Sequence, residues 1–162
     1  GNPSLDDTTP YDSAKDALKR AEYALMKRAS HLVSTGQSKS MPSQPPITGL
    51  GDHIWVGILA TANPVDFNCL SSYLRFCGLT EDVKKSKNYN RQAKKLYHML
   101  AEKVTYYEDK DFRRIYDNCK ADIADKHPDY DEKHRHYAAL IRTATMLAKH
   151  VFKYVKCKEQ SG

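Results

Sequence analysis

From Tyr137 to Val155 the apolar residues return every three or four positions: Tyr137, Ile141, Ala144, Ala148, Val151 and Val155, with Leu140 and Leu147 widening the stripe. That is the period of an amphipathic helix. No stretch of the chain shows the two-residue alternation of a half-buried strand. The pattern repeats upstream. Ile54, Trp55, Ile58 and Leu59 predict a short helix stopped near Asn63-Pro64. Phe67, Leu70, Tyr73 and Leu74 predict another, with Asp66 as its cap and Gly78 at its stop. A third runs from about Tyr89 through Ala93, Leu96, Leu100, Val104 and Tyr107, and a fourth carries Phe112, Ile115, Tyr116, Cys119 and Ile123 before His127-Pro128. The expected fold class is all-α.

Before these lies a separate stripe, Leu18, Leu25 and Leu32 at seven-residue spacing, flanked by Ala14, Ala21 and Ala29. It reads as a helical arm over 11–35, either lying on its own domain or acting as one strand of a coiled coil that makes a homo-oligomer. Asp12 or Ser13 can cap it and Gly36 follows it. The polar, Pro/Ser-rich run over 36–46 predicts a mobile linker. The expected organisation is therefore a flexible start (1–10), the arm (11–35), the linker (36–46), a helical domain (47–157) and a tail (158–162).

Chemistry enters with charge. Lys and Arg number 26 against 20 Asp and Glu, a net +6. Such an excess suits a polyanion partner. No apolar run reaches the roughly 18 residues that cross a bilayer. The polar, acidic opening does not read as an export signal, so a cytoplasmic, nucleoid-associated location is expected. Cys69, Cys77, Cys119 and Cys157 have no metal-ligand spacing and read as reduced, buried thiols. His134 and His136 are two apart, which points them in different directions on a helix, so no metal site is expected there.

Two segments carry the functional reading. Ile47-Thr48-Gly49-Leu50-Gly51 precedes an apolar helix, the pattern of a helix-hairpin-helix turn. Glycine lets the backbone bend tightly, Leu50 would anchor the turn in the core, and the free N–H groups after Gly51 suit a phosphate oxygen. An ordinary tight connection fits the same residues, and Asp52 would repel a phosphate. The second segment, residues 84–95, contains Lys84, Lys85, Lys87, Asn88, Arg91, Lys94 and Lys95 with no acid. Cations at a helix start oppose the macrodipole, so this run is not there for helix stability. Turn and loop together would cradle the phosphates of DNA. Ser86 sits among these cations, where a hydroxyl attacking a phosphodiester would find charge stabilisation. Composition alone reads it as an ordinary loop serine.

The order of features is more specific than any one of them: I-T-G-L-G, N-P-V-D-F, Y-L-R-F-C-G-L, a basic serine-bearing loop, then A-A-L-I-R-T-A-T-M-L-A-K-H-V-F. Over roughly 46–156 it resembles the C-terminal domain of the insertion-sequence transposases that use a serine nucleophile and a bridge RNA. Thr48 stands where that family usually has Pro, and Lys87 follows Ser86 where a Gly is usual. The resemblance implies DNA strand exchange with Ser86 as nucleophile. It also implies a coiled-coil role for the arm, a structured guide RNA, and a metal-binding nuclease-like domain with no counterpart in this sequence. A non-enzymatic architectural DNA-binding protein and a helical protein-interaction module remain the alternatives.

Overall fold

A computed structural model of the chain describes residues 10–34, 42–80 and 88–161. Among them are six α-helices, one 3-10 turn and no strand: α1 (Pro10–Ser34), α2 (Asp52–Thr61), the 3-10 turn Pro64–Asp66, α3 (Leu70–Phe76), α4 (Arg91–Tyr106), α5 (Phe112–Lys126) and α6 (Glu132–Ser161). None of these helices is long and apolar enough to cross a membrane. The all-α expectation holds.

The chain divides into two compact units, Gly1–Lys39 and Ser40–Gly162. The first contains α1, which starts at Pro10, so Asp12 lies inside the first turn rather than capping it. Proline suits that position because its missing N–H would have no partner there. Leu18 and Leu25 are exposed.

The second unit is built around α6, whose 30 residues give a rod of about 45 Å. It packs against α3, α4, α5 and the 3-10 turn, while α4 also packs on α2 and α5. The buried stripe of α6 is Leu140, Ala144, Leu147, Ala148, Val151 and Val155. Tyr137 and Ile141, expected to face inward, are 53% and 46% exposed, because the buried stripe tracks Leu140 one position along. Leu96, Leu100 and Val104 of α4 meet this core beside Ile54 and Ile58 of α2. Tyr107, also expected inward, caps α4 from an exposed position.

The two buried phenols of this core are paired. The Tyr73 and Tyr97 hydroxyls lie 2.5 Å apart, and Tyr73 also donates to the Ala62 carbonyl at 3.0 Å. Burial pushes both phenols well above their ordinary range and the neighbouring Cys77 thiol up to about 12. Cys69 and Cys157 depart from the buried-thiol expectation: both are exposed, one at the start of α3 and the other in the final turns of α6, beyond the core.

Local signals explain most boundaries. Asn90 caps α4 by accepting from the Ala93 N–H at 3.0 Å, which sets the start at Arg91 rather than Tyr89. Gly78, at φ +68°, ends α3, with the Tyr89 ring where a Cβ would sit. Asp66 does not cap α3. It closes the 3-10 turn capped by Asn63, and α3 follows Cys69 with no side-chain cap. Residues 36–41 of the expected linker lie outside the described residues, and 42–46 are held in place: Pro45 is buried, the Trp55 indole donates to the Pro42 carbonyl at 3.3 Å, and the Gln44 amide donates to the Leu50 carbonyl at 2.5 Å.

Candidate nucleic-acid interface

The glycine turn is formed, but it joins irregular backbone at 42–47 to α2 rather than linking two helices as a hairpin. Leu50 is buried as expected. Gly49, at φ +99°, needs glycine twice over. An added Cβ would be strained there and would lie 3.0 Å from the backbone carbonyl carbon and oxygen of Lys103. The close approach that glycine permits is therefore to this protein's own α4. Gly51 has an ordinary φ of −80° and serves as the N-cap of α2 without a side-chain hydrogen bond. Two of the turn's N–H groups are taken up internally: Leu50 donates to the Ile47 carbonyl at 3.1 Å and Thr48 to Asp109 Oδ1 at 2.8 Å. Asp52 supplies an acid to the first turn of α2, where the helix dipole favours one. Around the turn a shallow depression of about 330 Å³ is shared with His53, Lys103 and Tyr107.

Asp109 holds this end of the molecule together. It is buried, and besides Thr48 it accepts from the Phe112 N–H at 3.0 Å and the Asp111 N–H at 3.2 Å. One carboxylate thus caps α5 and pins the glycine turn. Sequence reasoning passed over it, because three Asp residues fall within 109–117 and nothing local says which turns inward.

Only part of the basic segment is described. Lys84, Lys85, Ser86 and Lys87 fall outside the described residues. Asn88 borders a depression of about 400 Å³ beside Arg75 and Ser72 of α3. Arg91 and Lys95 are exposed on the first turn of α4, and Lys94 is half-buried with its Nζ 5.0 Å from the centre of the Tyr89 ring. Gly49 touches α4 at Lys103, nine residues and about 14 Å along the helix from Lys94. Turn and described basic residues do not close on one phosphate. A strand running along α4 would cross about four nucleotides between them.

What the fold does bring together is a different set. A groove of about 790 Å³ is walled by Lys94 of α4, Lys126 of α5, and Arg142 and Lys149 of α6. Among the described residues, no acid lines it. Asp122 stands behind it, 2.6 Å from Arg142 and 3.0 Å from Lys126; these cations hold its carboxyl below the ordinary carboxylate range. Lys149 has no hydrogen bond or ion pair among the described residues. Arg142, Thr145, Met146 and Lys149 stand at i, i+3, i+4 and i+7, so α6 presents them as one stripe opposite its buried face. Thr80, six residues before Ser86 in the chain, is also on the wall.

The neighbouring histidines have separate partners: His134 Nδ1 lies 2.7 Å from Asp131, and His136 Nδ1 lies 2.6 Å from the Tyr116 hydroxyl. Asp131 also accepts from the His134 N–H at 2.8 Å, capping α6. The chain matches no protein-family model, no curated protein and no solved structure.

Proposed function

We propose that residues 42–161 form a DNA-binding domain that grips the phosphate backbone in the groove between α4, α5 and α6. The observation that carries this reading is the convergence of Lys94, Lys126, Arg142 and Lys149 from three helices on one groove, with no acid among the described residues of its lining. Helix stability does not require that arrangement; Asp122 is shared by Arg142 and Lys126, and Lys94 and Lys149 have no acid partner among the described residues, which favours an anion between them. In this reading the glycine turn is a structural clasp on α4, and backbone contact passes to the groove and to the exposed Arg91 and Lys95 of α4.

The resemblance to serine-nucleophile transposases extends the proposal to strand exchange in a complete assembly with guide RNA. There the Ser86 oxygen would replace a deoxyribose oxygen on phosphorus, releasing a sugar hydroxyl and conserving the phosphodiester for rejoining. A second reading, a module that meets another protein through α1, draws on the exposed Leu18 and Leu25.

Titrating duplex DNA at several salt concentrations separates these. The DNA reading requires affinity that falls steeply with salt, with a slope about 0.9 shallower for each phosphate contact removed by Lys94→Ala or Lys149→Ala. Absent or salt-independent binding refutes it. A covalent adduct that vanishes in Ser86→Ala distinguishes the recombinase from an architectural protein on the same scaffold.

A further inference from the structure

The groove is more than a charged surface, because its floor is apolar. Leu79 is buried there, and Ile141 and Met146 line it while 46% and 40% exposed. A backbone-binding face has no use for two half-exposed aliphatic side chains set between its cations. Stacked, paired bases of a duplex have no free faces to lay on them. An unpaired nucleotide has both parts that the groove matches, an apolar base face and an anionic phosphate.

Size and charge agree. Clefts that enclose one small organic ligand run from roughly 300 to 1,000 Å³, and this one is about 790 Å³. Of the four cations, Arg142 and Lys126 share Asp122, which leaves Lys94 and Lys149 without an acid partner among the described residues. Two uncompensated cations suit one phosphodiester with its neighbour, not a long run of backbone. Lys94 keeps its Nζ over the Tyr89 ring, a contact that leaves its charge available to an anion.

Building on the DNA-binding reading, we infer that this groove is a site for one unpaired nucleotide of a single DNA strand. The base lies against Leu79, Ile141 and Met146, and the phosphate lies toward Lys94 and Lys149. The source of the nucleotide is a strand, frayed or extruded, rather than a free mononucleotide. One or two contacts to a lone phosphate in open solvent give little affinity, whereas a strand can also meet the exposed Arg91 and Lys95 of α4.

The test uses the full chain, with fluorescence anisotropy of a labelled oligothymidylate of about twelve nucleotides and of a duplex of about twenty base pairs. The double variant Ile141→Ser, Met146→Ser removes apolar surface without altering charge, and both positions lie on the helix surface. Fluorescence of Trp55, the single tryptophan, verifies that the core is intact. The expected result is about tenfold weaker binding of the single strand, within the range that one stacked base contributes, with its salt slope unchanged. Duplex affinity stays within about twofold, while Lys149→Ala flattens the single-strand salt slope by about 0.7. If the serine variant binds the single strand as wild type does while duplex binding persists, the nucleotide site is overturned and the DNA reading stands. If neither oligonucleotide binds wild type, both fall. If thymidine monophosphate displaces the labelled strand at equal concentration, the ligand is the free nucleotide and the assignment to a strand is overturned.

Discussion

Replacing Asp109 by alanine removes one side chain that three backbone N–H groups depend on. The contacts are 2.8 Å to Thr48, 3.0 Å to Phe112 and 3.2 Å to Asp111. Hydrogen bonds to a charged acceptor are each worth about 1.5–3 kcal/mol, and a buried donor left without a partner costs about 1–3 kcal/mol. The Phe112 contact is buried and has no replacement, the Thr48 contact is partly buried, and Asp111 is exposed enough for water to take over. Losing the α5 cap at Phe112 and the tie to the turn at Thr48 together gives a destabilisation of about 3–5 kcal/mol. That is a large part of the 5–15 kcal/mol typical of a whole domain. Urea unfolding followed by Trp55 fluorescence measures it, because the buried indole reports on the second unit alone. Hydrogen exchange should localise the change, with protection lost first at the Thr48 and Phe112 amides. Asp109→Asn retains an acceptor and should cost less than half as much. A loss under about 1 kcal/mol in Asp109→Ala, with both amides still protected, would falsify the claim that this carboxylate clasps the turn to α5.

Gly49→Ala should destabilise by about 1–2 kcal/mol or more, since it combines a left-handed φ with contact against the Lys103 backbone; Gly51→Ala should cost less, because its φ is ordinary and the atoms nearest an added Cβ belong to a side chain, the His53 ring, rather than to backbone. Alkali should unfold the second unit early. The folded-state values of Tyr73 and Tyr97 are raised, so their contribution is complete below the ordinary phenol value near 10 and is lost as pH rises above it. The fall is about 1.4 kcal/mol per pH unit for each group, and because Cys77, raised to about 12, adds its own share, Tyr97→Phe should lower the slope seen in urea melts between about pH 10 and 11 by about a third. The Ser71 and Ser72 hydroxyls lower the exposed Cys69 thiol from 9.0 to about 7. At pH 7 iodoacetamide should therefore modify Cys69 before Cys157, a preference that Ser71→Ala, Ser72→Ala abolishes in mass-spectrometric mapping.

How far the fold was legible follows from the kind of signal involved. The positions of α2, α5 and α6 can be read from apolar spacing, because burial of one helix face leaves a periodic trace in the sequence. Boundaries set by side-chain caps were less certain. Asn90 and Asp66 are both competent caps by residue type, and only their tertiary neighbours decide that Asn90 caps α4 while Asp66 belongs to the 3-10 turn. The glycine turn was visible, but its partner was not. Nothing near Gly49 in sequence announces that the Lys103 backbone will occupy the space of its missing Cβ. The groove was the least legible feature. Lys94, Lys126, Arg142 and Lys149 are scattered over 55 residues, and each alone reads as a solvated charge. The one available hint was on α6, where Met146 interrupts the polar face that carries Arg142 and Lys149; Ile141 reads from its spacing as part of the core stripe.

That face of α6 can be set against three surface cations that do have helix partners. Lys126 has Asp122, Arg113 has Asp117 and Lys156 has Glu159, each a partner three or four residues away on the same helix. Lys149 has Thr145 and Lys153 at the four-residue positions and Met146 and Phe152 at the three-residue positions, none of them acidic. Thr145→Glu would supply the missing partner in the favourable orientation, acid before base at i, i+4, worth about 0.3–0.5 kcal/mol. It would lose the Thr145 hydroxyl bonds to the Ile141 carbonyl at 3.1 Å and the Leu79 carbonyl at 3.3 Å, a cost of similar size, so net stability should change by less than about 0.5 kcal/mol. Its effect on binding should be far larger. The new carboxylate stands in the groove wall, removes the free charge of Lys149 and repels phosphate, so duplex and single-strand affinity should each fall at least about tenfold at low salt. Unchanged binding in a folded Thr145→Glu protein would mean that the unpaired cations of α6 are surface charge without a ligand.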